Sequence, residues 1–479
     1  MKFFIKPEIE SLEAEDRLIL LGKYGEEQNL PFICSSIEKR QISRWDIQEQ
    51  GEYPFCDLQK QCRWLGKHAA GSIYFYLDGL CKDKENAEKL ISIMVKAIVK
   101  GGYSFAKEGL KKIENNSIFI NRELFSSYPG SQYTFITKFD LREILKEAEM
   151  NARCIGHARS LGNLPGNYFG IREMESYVRE LADYYQVTAE VYDDRALRKM
   201  GCQGILSVNQ GSSKGARLLV LHYNGNESGG ITALVGKAVM FDSGGYHLKS
   251  MKDMEGMQYD MCGGANILSA FEIAVQRKSR QRICVIIPCV ENVISPDACK
   301  MGDVIKTMSG KTVEIYNTDA EGRLILCDAL TYAAKIGADH IIDLATLTYS
   351  CQNALGSEIA GIFSNSDEFC GEFSKVAKNC GEKLWRLPLD RCFHERIKES
   401  LTADYINYAP HTGGGASIAA SFLEEFIEEG IRWIHLDVVG PAVNKQETDD
   451  LCKGATGVFA DTIAALLKGK GEKDDGLLL

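Results

Sequence analysis

The sequence predicts an α/β protein. It comprises a smaller N-terminal α/β domain over residues 1–137, a linker helix over 138–162, and a larger C-terminal domain over 163–479 around a mixed, largely parallel sheet. Three observations predict this. The 479 residues are 45% hydrophobic, 25% charged and 9% aromatic, an ordinary globular composition long enough for more than one domain. One long helical pattern, closed by glycine and proline, separates two regions of shorter elements. Beyond it strand and helix patterns alternate, which argues for a sheet covered by helices on both faces.

The first region mixes short apolar strands at Leu18–Leu21, Ser72–Leu77 and Ser117–Ile120 with a helical stretch at Glu85–Val99. In the segment from Phe139 to Leu161, Leu141, Ile144, Leu145, Ala148, Ala152 and Ile155 recur at three- and four-residue spacing, the signature of an amphipathic helix. Gly162, Pro165 and Gly166 end it. Then follow a helix at Ile171–Tyr185 and strands at Val187–Tyr192, Leu218–Tyr223 and Ile231–Gly236. A helix at Ala265–Gln276 precedes a strand at Ile283–Pro288, and a helix at Gly322–Ala334 precedes a strand at His340–Leu344. The last twelve residues, KGKGEKDDGLLL, read as a loose tail.

Charge and cysteine usage narrow the function classes. A net charge of −10 argues against a general nucleic-acid or anionic-membrane binder. No apolar run reaches the roughly 18 residues of a membrane helix, and the apolar patch after Met1 is too short for a secretory signal. The 16 cysteines are scattered from Cys34 to Cys452 without a CxxC pair, so they read as buried free thiols in a reducing, cytoplasmic setting.

Two stretches carry chemistry. LVGKAVMFDSGGYHLK (234–249), with YDMCGGA (259–265), supplies Lys237, Asp242, Lys249 and Asp260; NTDAEGRL (317–324) supplies Asp319, Glu321 and Arg323. Asp242, Asp260, Asp319 and Glu321, gathered in one site, repel one another unless cations neutralise them, and two divalent ions supply that charge. Carboxylate-rich ligation suits Mn²⁺, Mg²⁺ or Zn²⁺. Two such ions lower the pKa of a shared water and clamp a tetrahedral transition state.

These motifs resemble the leucyl aminopeptidase family of binuclear-metal exopeptidases. The resemblance runs through VGKxxxFDSGGxxxK, DMCGGA, ENxxxxxxxxxGDVIKTMSGKTVE, NTDAEGRL, HIIDLATLT, WRLPL and WIHLDVVGPA, so it covers roughly 160–465. It implies a metallo-aminopeptidase that removes single N-terminal residues from peptides with a free N-terminal amine. Asp242 and Glu321 would bridge two metals, Asp319 would complete the more exchangeable site, and Lys237 and Asp260 the tighter one. Zn²⁺ or Mn²⁺ are the implied ions, with Co²⁺ and Mg²⁺ as alternatives. Lys249 would polarise the scissile carbonyl, and Arg323 would hold a bicarbonate serving as general base. Thr346, Leu347 and Tyr349 would line the substrate cleft and Met257 the side-chain pocket. The implied assembly is a homohexamer, two trimers face to face, in the cytoplasm.

The sequence departs from the family pattern at Tyr349, where glycine usually stands, at Val458-Phe459, at Gly215-Ala216 and at His247. None is a metal ligand in the implied set, so the expectation concerns substrate preference. The Tyr349 ring either enters the side-chain pocket and favours small N-terminal residues, or swings outward without effect. Other motifs fail on spacing. SGKT (309–312) has Ile305 where a P-loop needs glycine, TGGGAS (412–417) supplies no GxGxxG after a strand, and HExxH does not occur. His435 and Cys262 read as packed core groups. A phosphoesterase would need more cations than Lys249 and Arg323, and a DNA-binding role lacks a basic N-terminal surface stretch.

Overall fold

The computed structural model describes residues 1–8, 16–23, 42–47, 55–78, 80–81, 83–112, 117–225, 229–410 and 413–468. Cys34 and the tail beyond Lys468 lie outside these residues. The first part of the chain forms a five-stranded sheet, all parallel, in the order Lys2–Lys6, Gln132–Ile136, Ser72–Tyr76, Arg17–Lys23, Ile42–Ile47. Helix Lys84–Gly102 begins at Asp83, whose side chain accepts from the Asn86 amide. Its buried Leu90, Ile91, Met94, Val95 and Ile98 pack with Ile73, Phe75, Tyr133 and Phe135 of the sheet.

One expected strand is absent. Residues 117–120 form a turn leading into the short helix Arg122–Phe125. Ile118 and Phe119 are both buried, so the apolar positions are adjacent rather than alternating. The Ser117 hydroxyl accepts from the Ile120 amide at 3.0 Å and closes the turn.

Helix Arg142–Asn163 joins the two parts of the chain, with its halves in different cores. Leu145, Ala148 and Ala152 belong to the N-terminal core, whereas Cys154, Ala158 and Leu161 belong to the core of the second sheet. That nine-stranded sheet runs Leu384–Arg386, Ala360–Ser364, Arg432–Asp437, Ala338–Ala345, Ile231–Gly236, Arg282–Asn292, Arg217–Asn224, Thr188–Tyr192, and Ala238–Asp242 pairs with the far end of Arg282–Asn292. The central strands are parallel; Arg217–Asn224 runs against both its neighbours and Ala360–Ser364 against Arg432–Asp437 alone, which makes the sheet mixed. Successive side chains enter opposite cores: Leu234 faces helix Cys262–Gln276, while Ala233 and Val235 face helix Glu321–Lys335. Burial on both faces explains the nearly continuous apolar strands.

Residues 309–311 lie in the turn of a hairpin between Val304–Lys306 and Thr312–Glu314, and Thr312 opens its second strand. Every described cysteine is free, and most are buried. No helix among the described residues is long and apolar enough to cross a membrane.

Candidate active site

The chemistry-bearing residues meet where the parallel strands end, the usual place for function in such a sheet. Lys237 follows strand Ile231–Gly236, Asp242 ends Ala238–Asp242, and Thr346 follows Ala338–Ala345. Asp260 follows the short turn Met257–Tyr259, and Glu321 is the first residue of helix Glu321–Lys335. Close backbone approaches make this convergence feasible. A Cβ on Gly263 would lie 2.2 Å from the Leu344 carbonyl oxygen, so only glycine lets helix Cys262–Gln276 start against the sheet there.

Two lysines organise four carboxylates. Lys237 Nζ lies 2.8 Å from Asp260 Oδ1 and 2.8 Å from Glu321 Oε1, and donates to the Thr346 carbonyl at 2.8 Å. Lys249 Nζ lies 2.8 Å from Asp242 Oδ2 and pairs with Asp319. Thr346 Oγ1 donates to Asp260 Oδ1 at 2.7 Å. Lys237, Asp242, Asp260, Glu321 and Arg323 are all buried, while Asp319 is partly open to solvent.

The charges strain against burial. Burial, reinforced by Glu321 and Asp242 and opposed by Lys237, pushes the Asp260 carboxyl up to about 8. Burial with Glu321 and Asp242 likewise pushes Asp319 up to about 7. Burial alone would raise Glu321 too, but Lys237 and Lys249 hold it below the usual carboxylate range. Burial would depress both lysines, yet their carboxylate neighbours hold both ammonium groups above the ordinary lysine value.

This donor set fits divalent cations. Two ammonium groups leave four gathered carboxylates short of positive charge, Asp260 Oδ2 is buried without a hydrogen-bond partner, and oxygens of Asp242, Asp319 and Glu321 come within 4.8 Å of one another. Arg323 lies two residues after Glu321 on the same helix and feels its charge. Its Nη1 donates to the Asn407 carbonyl at 2.8 Å, its buried Nε has no acceptor, and burial pulls the guanidinium down to about 10.

Three supporting residues carry no role in the sequence reading. Asn292 donates from Nδ2 to Asp242 Oδ1 at 2.8 Å and to the Thr318 carbonyl at 3.0 Å, tying the two motifs together. Asp437 accepts from the amides of Leu347 and Thr348 at 3.3 Å and from the Thr348 hydroxyl at 2.6 Å. Asn407 accepts from the Tyr316 and Asn317 amides and donates to the Asn317 carbonyl, shaping the approach to Asp319. Asn292 and Asp437 stood inside quoted motifs; Asn407 had no such signal.

Leu347 reaches over Gly322, and Met257 sits on the turn before Asp260, partly buried. The Tyr349 hydroxyl donates to the Asp253 carbonyl at 3.2 Å, and Lys249 Nζ is 5.8 Å from its ring centre. The ring therefore spans from the Lys249 side of the cluster to helix Met251–Met254, with 39% of the residue exposed. Of the other departures, His247 is exposed and its amide donates to Thr318 Oγ1 at 2.7 Å. Phe459 is buried at a φ of 62°, with its amide bonded to Glu382.

Comparison with known proteins identifies the family. Residues 156–464 match the profile of the cytosol aminopeptidase family, catalytic domain. A probable cytosol aminopeptidase of Bacillus licheniformis is 39% identical over 337 residues, 70% of this chain and 68% of that protein. Its Bacillus subtilis counterpart is 40% identical over 335 residues, 69% of this chain and 67% of that protein. Among solved structures, the bottromycin maturation enzyme BotP in complex with Mn superposes with a TM-score of 0.79 at 24% identity, over 95% of this chain and 99% of that one, a likeness of fold. The chain belongs to the cytosol aminopeptidase family, metal-dependent aminopeptidases that hydrolyse peptide bonds.

Proposed function

We propose that this site releases the N-terminal residue of peptides with two divalent ions. Asp242 and Glu321 would hold both ions, Asp319 would complete the more exchangeable site, and Lys237 with Asp260 the tighter one beside the substrate amine. When bound, such a pair lowers the pKa of a water between the ions and offsets negative charge on the reacting oxygens. Lysine ligates only as the neutral amine, so Lys237 gives up a proton on loading. The observation that carries this reading is Lys237 Nζ at 2.8 Å from both Asp260 and Glu321, a cation already seated among ligand-type oxygens.

Lys249 keeps its charge, polarises the scissile carbonyl and stabilises the oxygen that becomes negative. Arg323 would hold a bicarbonate, which would supply a general base beside the water, in keeping with a buried guanidinium whose Nε lacks an acceptor. Thr346, Leu347 and Tyr349 line the cleft, and Met257 lines the pocket for the N-terminal side chain. Zn²⁺ or Mn²⁺ are the ions of choice, with Co²⁺ and Mg²⁺ as alternatives; the Mn-bound structural neighbour supports Mn²⁺. The test is a screen of aminoacyl-coumarin substrates on metal-stripped protein with each ion added back. Recovery with a divalent ion is expected, and full activity in the stripped protein would refute the reading.

The same reading divides the chain at 137/138 and 162/163 and places it in the cytoplasm, where free buried thiols persist. It assembles the chain as a homohexamer of two face-to-face trimers, supported by exposed apolar side chains such as Met251, Trp385 and Leu401. Light scattering should give six times the 53.2 kDa chain mass.

A further inference from the structure

A second group of ligand-type side chains lies away from the carboxylate cluster, where helix Arg142–Asn163 packs on helix Cys262–Gln276. Cys154 and His157 are three residues apart on the first helix and so share a face. Glu272 comes from the second. All three are buried, at 1%, 6% and 1% exposure, and one ligand atom from each lies within 4.8 Å of the others. His157 Nδ1 is 3.1 Å from Glu272 Oε2. In a tetrahedral zinc site, bond lengths of about 2.0–2.3 Å put ligand atoms roughly 3.3–3.8 Å apart, so a small adjustment closes the group around an ion.

Each of the three also has its own outer partner. Gln276 Nε2 donates to Cys154 Sγ at 3.1 Å, His157 Nε2 lies 2.9 Å from Glu123 Oε1, and the Tyr185 hydroxyl donates to Glu272 Oε1 at 2.8 Å. Metal ligands are oriented in this way, with a carboxylate on the far imidazole nitrogen and donors on thiolate and carboxylate. A buried ion pair would account for His157 between two glutamates. It would not account for a thiol within 4.8 Å of both, with an amide aimed at its sulfur.

We propose that Cys154 Sγ, His157 Nδ1 and Glu272 Oε2 bind a Zn²⁺ that fastens the helix carrying Cys154 to the helix that starts just after Asp260. A thiolate, an imidazole and one carboxylate select zinc over Mn²⁺ or Mg²⁺, and water takes the fourth position. Binding releases the thiol proton and any Nδ1 proton to solvent. Arg122, 3.7 Å from Glu272 Oε1, is the competing cation, and it lies on the oxygen opposite the proposed ligand atom. The proposal is independent of the aminopeptidase mechanism.

Titration of metal-stripped full-length protein with Co²⁺ tests it. The aminopeptidase centre proposed above has no sulfur ligand, so a sulfur-to-cobalt charge-transfer band reports this site alone. The band should reach the intensity of one thiolate-bound Co²⁺ per chain and be absent in Cys154→Ser. His157→Ala should weaken it by at least tenfold in Co²⁺ affinity. Zn²⁺ should displace the band and raise the melting temperature of the natural chain more than that of Cys154→Ser. If Co²⁺ restores peptide hydrolysis without producing the band, the cluster is only a buried ion pair and the proposal falls. That result comes from the unaltered chain and does not depend on a variant folding. A band that persists in Cys154→Ser overturns it as well.

Discussion

Replacing Gly322 with alanine should damage the site without unfolding the chain. Gly322 is the second residue of helix Glu321–Lys335, and a Cβ there would lie 2.8 Å from Lys237 Cε, 2.9 Å from its Nζ and 2.9 Å from Leu347 Cδ1. Ordinary contacts of this kind are about 3.5–4.0 Å, so the neighbours must retreat by roughly 0.6–1.2 Å. Leu347 is partly buried and can give way, but Lys237 is 2% exposed and held by Asp260, Glu321 and the Thr346 carbonyl. Overpacking costs about 1–3 kcal/mol. Alanine returns up to about 1 kcal/mol of helix propensity, so the net loss of stability is about 0–3 kcal/mol. Catalysis is less forgiving, since a misplacement of about 1 Å can cost about 10² in rate. For Gly322→Ala, kcat/KM on an aminoacyl-coumarin should fall about 10–100-fold with an unchanged circular dichroism spectrum, and excess metal should restore part of it. Wild-type kcat/KM and metal affinity would refute the placement of Lys237 in the working site.

Four further outcomes are expected. Asp242→Ala should lose bound metal and turnover together, read by elemental analysis and peptide hydrolysis, because a bridging carboxylate is removed from two cations. Lys249→Ala should keep its metal and lose about 10²–10³ in kcat with little change in KM, the usual size for one oxyanion donor. Tyr349→Gly should shift kcat/KM towards leucyl over alanyl substrates by about tenfold, or about 1.4 kcal/mol; an unchanged ratio would move specificity to Met257. Lys100→Met should change the pH dependence of stability. Burial, reinforced by Arg63 and Arg159 and opposed by Glu382 and Asp461, pulls the Lys100 ammonium down to about 8, below the unfolded value of about 10.4. The unfolded chain therefore holds the extra proton between those values, and the natural protein gains stability as pH rises through the window. The methionine variant should be more stable by about 1–3 kcal/mol at neutral pH, with the advantage vanishing above about pH 10.5 by chemical denaturation.

Much of the fold was legible because it obeys local rules. The helix at 142–163 carries a clean three- and four-residue apolar period, and a Gly-Pro end makes its limit visible. The edge strand Lys2–Lys6 was missed because its short FFI run, followed by a proline, lacks alternation and gains its place only by pairing with Gln132–Ile136. Ser117–Ile120 failed in the opposite way, since its apolar residues are buried by tertiary packing of Phe119 on Tyr177 rather than by a strand. In the site, glycine-flanked acids and lysines were readable from spacing, because tight turns at strand ends need those glycines. Asn292, Asn407 and Asp437 were not, since their work is to bond backbone groups brought close only by the fold. The path of the Tyr349 ring was equally illegible, being fixed by a carbonyl 96 positions away in sequence.

The most direct measurement is anomalous diffraction at the manganese edge from crystals of the full chain grown with Mn²⁺. Two peaks about 3.5–4 Å apart are expected, both in contact with Asp242 and Glu321, one also with Asp319 and the other with Lys237 and Asp260. A single peak, or manganese bound without Asp242 and Glu321, would contradict a two-metal aminopeptidase centre at these residues.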